Sequence, residues 1–243
     1  SLLAERLKTE NDLQTKMNLL FSLGRLGGPE AAHALMEFEE QGRKHRQLRA
    51  AWGIASGMTH VGENIELLYG ELLQRDRRDP WAGSDLPKKL RRDEERLRAG
   101  FALALGFSGD PRNIEALAAT TEAKGVGADY LGYASVALGM LGGDQAEEAL
   151  LRLARNGGQE MDGRRGLALG LGLIGGSEAR SFLAEMLLHE REPSVRRAAA
   201  WGFGRAAEGG SVENLVQIWD LAKENGDAQA AIVEALGQVA GAR

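Results

Sequence analysis

A period of about 33 residues constrains this chain more than any other feature. Glycines that close a small-apolar run stand at Gly24, Gly57, Gly106, Gly139, Gly172, Gly204 and Gly237, spaced 33, 49, 33, 33, 32 and 33. A leucine lies eleven residues after six of them, at Leu35, Leu68, Leu117, Leu150, Leu183 and Leu215. A period of this length marks a supersecondary unit that cannot bury its apolar face alone and does so by stacking on its neighbours. The one long spacing, 49 − 33 = 16 residues over the rest, marks an insertion.

Each unit holds two helical stretches. After Gly139, residues Ala146, Ala149, Leu150, Leu153 and Ala154 make an apolar stripe at i, i+3, i+4, i+7 and i+8. The matching stripe one unit on is Ala179, Phe182, Leu183, Met186 and Leu187. Asp144 with Glu147 reads as a capping box, and Asp110-Pro111 as a cap followed by proline at the first helical position. The second helix of each unit runs into the anchor glycine. Asp129, Asp162, Ser194 and Asp227 recur at its start and are expected N-caps. The helix itself is built from Ala and Gly, as in GLALGLGLIGG from Gly166. Interior glycine costs a helix roughly 1 kcal/mol against alanine. Its repetition therefore predicts close approach between neighbouring helices. Gly27-Gly28, Gly142-Gly143 and Gly175-Gly176 are expected to end helices in a left-handed cap.

The segments EPSVRRAAAWGFG (192–204) and RLRAGFALALGFSGD (96–110) resemble the second helix of a HEAT repeat. The Gly-rich form RRGLALGLGLIGG is also similar to the proteasome/cyclosome repeat, a HEAT-like variant of large scaffold subunits. The aromatic signature of TPR units and the Thr-Pro-Leu-His of ankyrin are absent. The resemblance implies an all-α fold: a right-handed α-α superhelix of about seven helix pairs, with residues 1–243 as a single array.

Composition narrows the function. The net charge is −5, so the global basic field of a nucleic-acid binder is missing, which argues against nucleic acid as partner. There is no cysteine, hence no disulfide, no Cys-based metal site and no Cys nucleophile. That favours a reducing, cytoplasmic setting without excluding secretion. No apolar run reaches the roughly 18 residues of a membrane span. The chain starts at Ser1 and stops inside an apolar helical pattern, as expected of a segment of a longer scaffold subunit.

The insertion occupies 74–95 and reads as a charged loop joining two helices of one unit. It carries Arg75, Arg77, Arg78, Lys88, Lys89, Arg91 and Arg92, partly offset by Asp76, Asp79, Asp85 and Asp93, with Trp81 between Pro80 and Gly83. Such a loop is either a solvated linker or a partner-binding element in which Trp81 anchors and the basic residues meet an acidic protein surface. Arg49, Arg98, Arg164 and Arg196 recur on the second helices, whereas Leu131 and Gln229 break the series. The four arginines make either a basic ladder along one surface, able to grip an acidic partner, or, because acids share their period, a series in which each Arg bridges to the acidic N-cap of a neighbouring unit, the reading expected here. Trp52, Phe101, Trp201 and Trp219 sit in apolar helical runs and are expected in the core.

Catalytic signatures are missing. Gly170-Leu-Gly172-Leu-Ile-Gly175 fits G-x-G-x-x-G, but inside a repeat helix rather than between a strand and a helix, so no dinucleotide is expected. His189-Glu190 begins like H-E-x-x-H, but Pro193 stands where the second His belongs. The histidines His33, His45, His60 and His189 show no metal-ligand spacing. No catalytic, cofactor or metal residue is assigned. The expectation is a non-enzymatic protein-binding scaffold. The alternative is a HEAT-like enzyme or ligand-binding protein, by analogy with bilin lyases and alkyl-purine DNA glycosylases. A lyase calls for a polar pocket with a buried acid. A glycosylase calls for a strongly basic concave face.

Overall fold

The computed structural model describes residues 2–43, 45–62, 88–122, 126–156, 160–206 and 211–241. The helices among them are α1 (Leu2–Thr9), α2 (Leu13–Leu26), α3 (Gly28–Arg43), α4 (Arg46–Met58), α5 (Lys88–Ser108), α6 (Asn113–Thr121), α7 (Ala128–Leu141), α8 (Asp144–Asn156), α9 (Met161–Ile174), α10 (Ser177–His189), α11 (Pro193–Arg205), α12 (Ser211–Leu221) and α13 (Gly226–Gly241). The described residues contain no strand. The fold class is all-α, made of successive helix pairs as the period requires. The chain divides into two compact units, Ser1–Tyr133 and Ala134–Arg243.

In each unit the Gly-rich second helices lie against one another: α2 on α4 and α4 on α5 in the first, α9 on α11 and α11 on α13 in the second. The glycines make this possible. A methyl group at Gly24 would stand 2.8 Å from the Ala55 Cα, and one at Gly57 2.7 Å from the Ala104 carbonyl carbon. At Gly139 it would meet the Gly170 oxygen at 2.5 Å. The helix axes approach until backbone touches backbone, and the packing gained offsets the poor helix propensity of glycine. The first helices supply larger side chains. Leu35, Leu117, Leu150, Leu183 and Leu215 are all fully buried. Leu68 lies outside the described residues.

The helix ends differ in detail from the sequence reading. Asp129, Asp162 and Asp227 sit inside the first turn of α7, α9 and α13, and Ser194 inside that of α11, none at the N-cap. An acid there still meets the positive end of the helix dipole, and this explains the periodicity. The capping itself comes from elsewhere. Asn225 Oδ1 accepts from the Ala228 amide at 3.0 Å, and Glu95 Oε1 accepts from the Asp129 and Tyr130 amides at 3.0 and 3.3 Å. Asp144 is the first residue of α8 rather than its cap. Asp110 accepts from the Arg112 amide at 3.0 Å and so caps the turn before α6. Gly175 has φ 77° and ψ −156°, not the left-handed helical values expected. This region is open only to glycine.

The charged insertion also departs from expectation. Arg75, Arg77, Arg78 and Trp81 lie outside the described residues, but Lys88, Lys89, Arg91 and Arg92 belong to the first turns of α5. Residues 88–95 read KKLRRDEE, all but Asp93 good helix formers, so this stretch extends the helix instead of forming a loop.

Candidate functional site

The second unit carries a groove of about 720 Å3 at the ends of three helices. Its walls are Ala154 and Arg155 from α8, Arg164 and Leu167 from α9, and Phe182, Glu185, Met186 and His189 from α10, with the 190–192 link as rim. Helical geometry places the α10 residues there. Ala179, Leu183 and Leu187 recur every four residues and are fully buried. Phe182, Glu185, Met186 and His189 recur at three and four on the adjacent face and open to the groove. The sequence stripe thus splits: Phe182 and Met186, expected in the core, are only half-buried and supply an apolar wall.

The groove's polar end is organised by one carboxylate. Glu190 Oε2 pairs with Arg164 Nε at 2.9 Å, and Oε1 accepts from the Arg191 and Glu192 amides at 2.8 and 3.1 Å. Only 13% of the Glu190 side chain remains exposed. Burial pushes its carboxyl up, but the two amides and the Arg164 guanidinium outweigh this and hold it below the ordinary glutamate value. Glu190 is therefore kept ionised. A carboxyl held this way serves as an electrostatic anchor and is poorly suited to general acid work near neutral pH. Arg155 pairs with Glu178 across from α10, leaving Glu185, His189, Arg191 and Glu192 as the polar groups around the mouth.

The arginine series is only partly as expected. Arg196 bridges to Asp227 at 3.2 Å, as the shared period predicts. Arg164 instead reaches Glu190 in the link before α11. Arg98 is fully buried with its guanidinium 4.8 Å from the centre of the Tyr130 ring, and Arg49 lies 6.0 Å from that of Phe101. Both arginines thus lie against aromatic faces, a favourable setting for a guanidinium. Asp129 itself is met by Arg96, at 3.8 Å. Trp52 and Phe101 are core residues, but Trp219 is 36% exposed.

A second groove, in the first unit, has about 620 Å3. Leu13, Met17, Phe21 and Ile54 dominate its lining, with Gln14 and Gln47 among its polar groups. It lacks a buried, hydrogen-bonded charge and is the weaker candidate. The four histidines are dispersed. His33 stands 3.6 Å from Glu37, His45 precedes α4, His60 contacts the Ser108 carbonyl at 3.2 Å, and His189 lines the groove of the second unit. Among the described residues, no group of three His, Cys, Asp or Glu is placed to hold a metal ion, and no helix is long and apolar enough to cross a membrane.

No family model and no curated protein matches the chain. Among solved structures, human deoxyhypusine hydroxylase in complex with glycerol matches over 99% of this chain and 95% of its own, at 19% identity and a TM-score of 0.37. This corrects the expectation of a protein-binding scaffold. The matched structure is that of an enzyme. At that identity and TM-score, the likeness carries no substrate or activity to this chain.

Proposed function

We propose that the chain is a HEAT-like ligand-binding protein, and that the groove of the second unit takes a small amphipathic molecule. In this reading residues 1–243 form one array, and the Gly-rich second helices are the proteasome/cyclosome variant of the repeat. The ligand lays its apolar body on Leu167, Phe182 and Met186 and sets its ionic end among His189, Arg191 and Glu192. The observation that carries the reading is the pairing of a half-buried apolar wall with a hydrogen-bonded, ion-paired carboxylate in one concavity. Ligand sites combine these two elements: apolar area for affinity and a few fixed polar groups for orientation.

A lyase-like enzyme acting on a bilin is the second reading, favoured by the same feature, a polar pocket with a buried acid. Glu190 would orient the substrate in that case, and proton transfer would fall to His189 or Glu185, which open to the groove. The groove's arginines are balanced by Glu185, Glu190 and Glu192, and this runs against a glycosylase-type basic face.

Two probes test the proposal: 8-anilino-1-naphthalenesulfonate by fluorescence and biliverdin by absorbance, each titrated into the native protein. The expected result is one saturable site for at least one probe, weakened at least tenfold by Phe182→Ser, a loss of about 1.4 kcal/mol. Absence of saturable binding by both probes, or affinity indifferent to Phe182→Ser, sinks the proposal.

A further inference from the structure

The groove's one histidine is held from outside the groove. His189 is the last residue of α10, where helical hydrogen bonding stops constraining the chain. Its direction depends on the peptide planes before and after it, since a residue's backbone has only two soft torsions. Both planes are pinned. Before it, the Leu188 carbonyl accepts from Asn225 Nδ2 at 2.8 Å. After it, the Glu190 amide donates to the Met186 carbonyl at 3.0 Å. One residue further, the Glu190 carbonyl accepts from the Arg196 guanidinium, which is itself nearly buried and paired with Asp227. Asn225 and Arg196 do not line the groove, yet each holds a carbonyl beside His189. The bond from Asn225 spans 37 residues, from the link before α13 back to the end of α10. Nothing local to α10 supplies it.

Asn225 has a second duty. Its Oδ1 caps α13 through the Ala228 amide. One amide side chain thus accepts from a helix start with its oxygen and donates to a helix end with its nitrogen. Helix capping alone requires only the acceptor, and Asp or Ser performs it about as well as Asn. The donor is the part that reaches the groove.

We propose that Asn225 is a positioning residue for the ligand groove: through the Leu188 carbonyl it fixes the direction in which His189 enters the site. This rests on the reading of the groove as a ligand site. The bond is one partly buried hydrogen bond, and removing its donor leaves the Leu188 carbonyl unsatisfied. The expected consequence for a ligand that contacts His189 is roughly three- to tenfold weaker binding.

Asn225→Asp keeps the cap and removes the donor. Asn225→Ser keeps a capping hydroxyl that is too short to reach Leu188. Both are measured for thermal midpoint, for affinity toward 8-anilino-1-naphthalenesulfonate, and for the ring resonances of the four histidines. His33, His45 and His60 serve as internal controls. The expected outcome in both variants is a midpoint lowered by no more than a few degrees, three- to tenfold weaker probe binding, and a displaced His189 ring signal with the other three unmoved. Unmoved His189 resonances in both variants overturn the proposal, whether or not the probe binds. Equal movement of all four histidines also overturns it, since that marks general loosening. If the wild-type protein binds no probe, the ligand reading of the groove fails separately, and the His189 resonances alone decide the clamp.

Discussion

Alanine in place of Gly139 adds one methyl group where α7 meets α9. The methyl would stand 2.5 Å from the Gly170 oxygen and 2.8 Å from its Cα, well inside contact distance. Both atoms are backbone, so no side chain can swing aside and the two helices must separate. Overpacking of this kind costs roughly 1–3 kcal/mol. Replacing an interior helical glycine by alanine returns roughly 1 kcal/mol of helix propensity. The upper half of the overpacking range applies at a rigid backbone contact, and the net loss is about 1–2 kcal/mol. Gly237 occupies the same repeat position in α13, but a methyl there meets nothing within 4 Å. Gly237→Ala therefore keeps the propensity term alone, a gain of about 0.5–1 kcal/mol. Urea denaturation followed by circular dichroism compares the two. The midpoint falls for Gly139→Ala and stays or rises for Gly237→Ala. A Gly139→Ala protein as stable as wild type would refute the close-approach account of the glycines.

Three further perturbations follow from the same geometry. Arg164→Ala strands a carboxylate that is only 13% exposed, and loss of about 1–2 kcal/mol in chemical denaturation is expected, below the full buried-pair range because Arg164 is one-third exposed. Glu190 has its carboxyl depressed in the folded state, so its stabilisation is complete above the unfolded value and is lost as pH falls through and below the ordinary range near about 4; Glu190→Gln should flatten that part of the acid dependence of stability. Trp52 donates Nε1–H to the Leu35 carbonyl at 2.7 Å in a buried setting, so Trp52→Phe leaves that carbonyl unsatisfied and costs about 1–3 kcal/mol, read as a lowered thermal midpoint.

The period was legible because it is written in residues with one physical meaning each. An anchor glycine reports backbone contact at Gly24, Gly57, Gly139 and Gly172, whereas Gly204 faces the Leu215 side chain and Gly237 has no neighbour; the leucine at the fixed offset is buried at each described position. The helix starts were less legible. Asp129, Asp162 and Asp227 suit both the N-cap and the first turn, and composition does not separate positions two residues apart. Asn225 and Glu95 cap instead, one from just before its helix and the other from 34 residues away. The groove was not legible at all. Phe182 and Met186 look like core on any helical wheel, and only the placement of α8 and α9 leaves them half-covered. Glu190 was noticed only as the second letter of a failed metal motif, because its partner Arg164 belongs to another helix. The charges that drew attention in the sequence, Arg75 to Arg92, gave no information about this site.

Amide chemical-shift mapping shows directly whether a ligand sits in the groove of the second unit. The native protein is titrated with the tighter of the two probes, and the shifts are followed residue by residue. Saturating shifts are expected at 154–155, 164–167 and 182–192, with the first unit unmoved. Shifts centred on the groove of Leu13, Met17, Phe21 and Ile54, or no saturating shifts anywhere, would contradict the ligand reading of the second unit's groove.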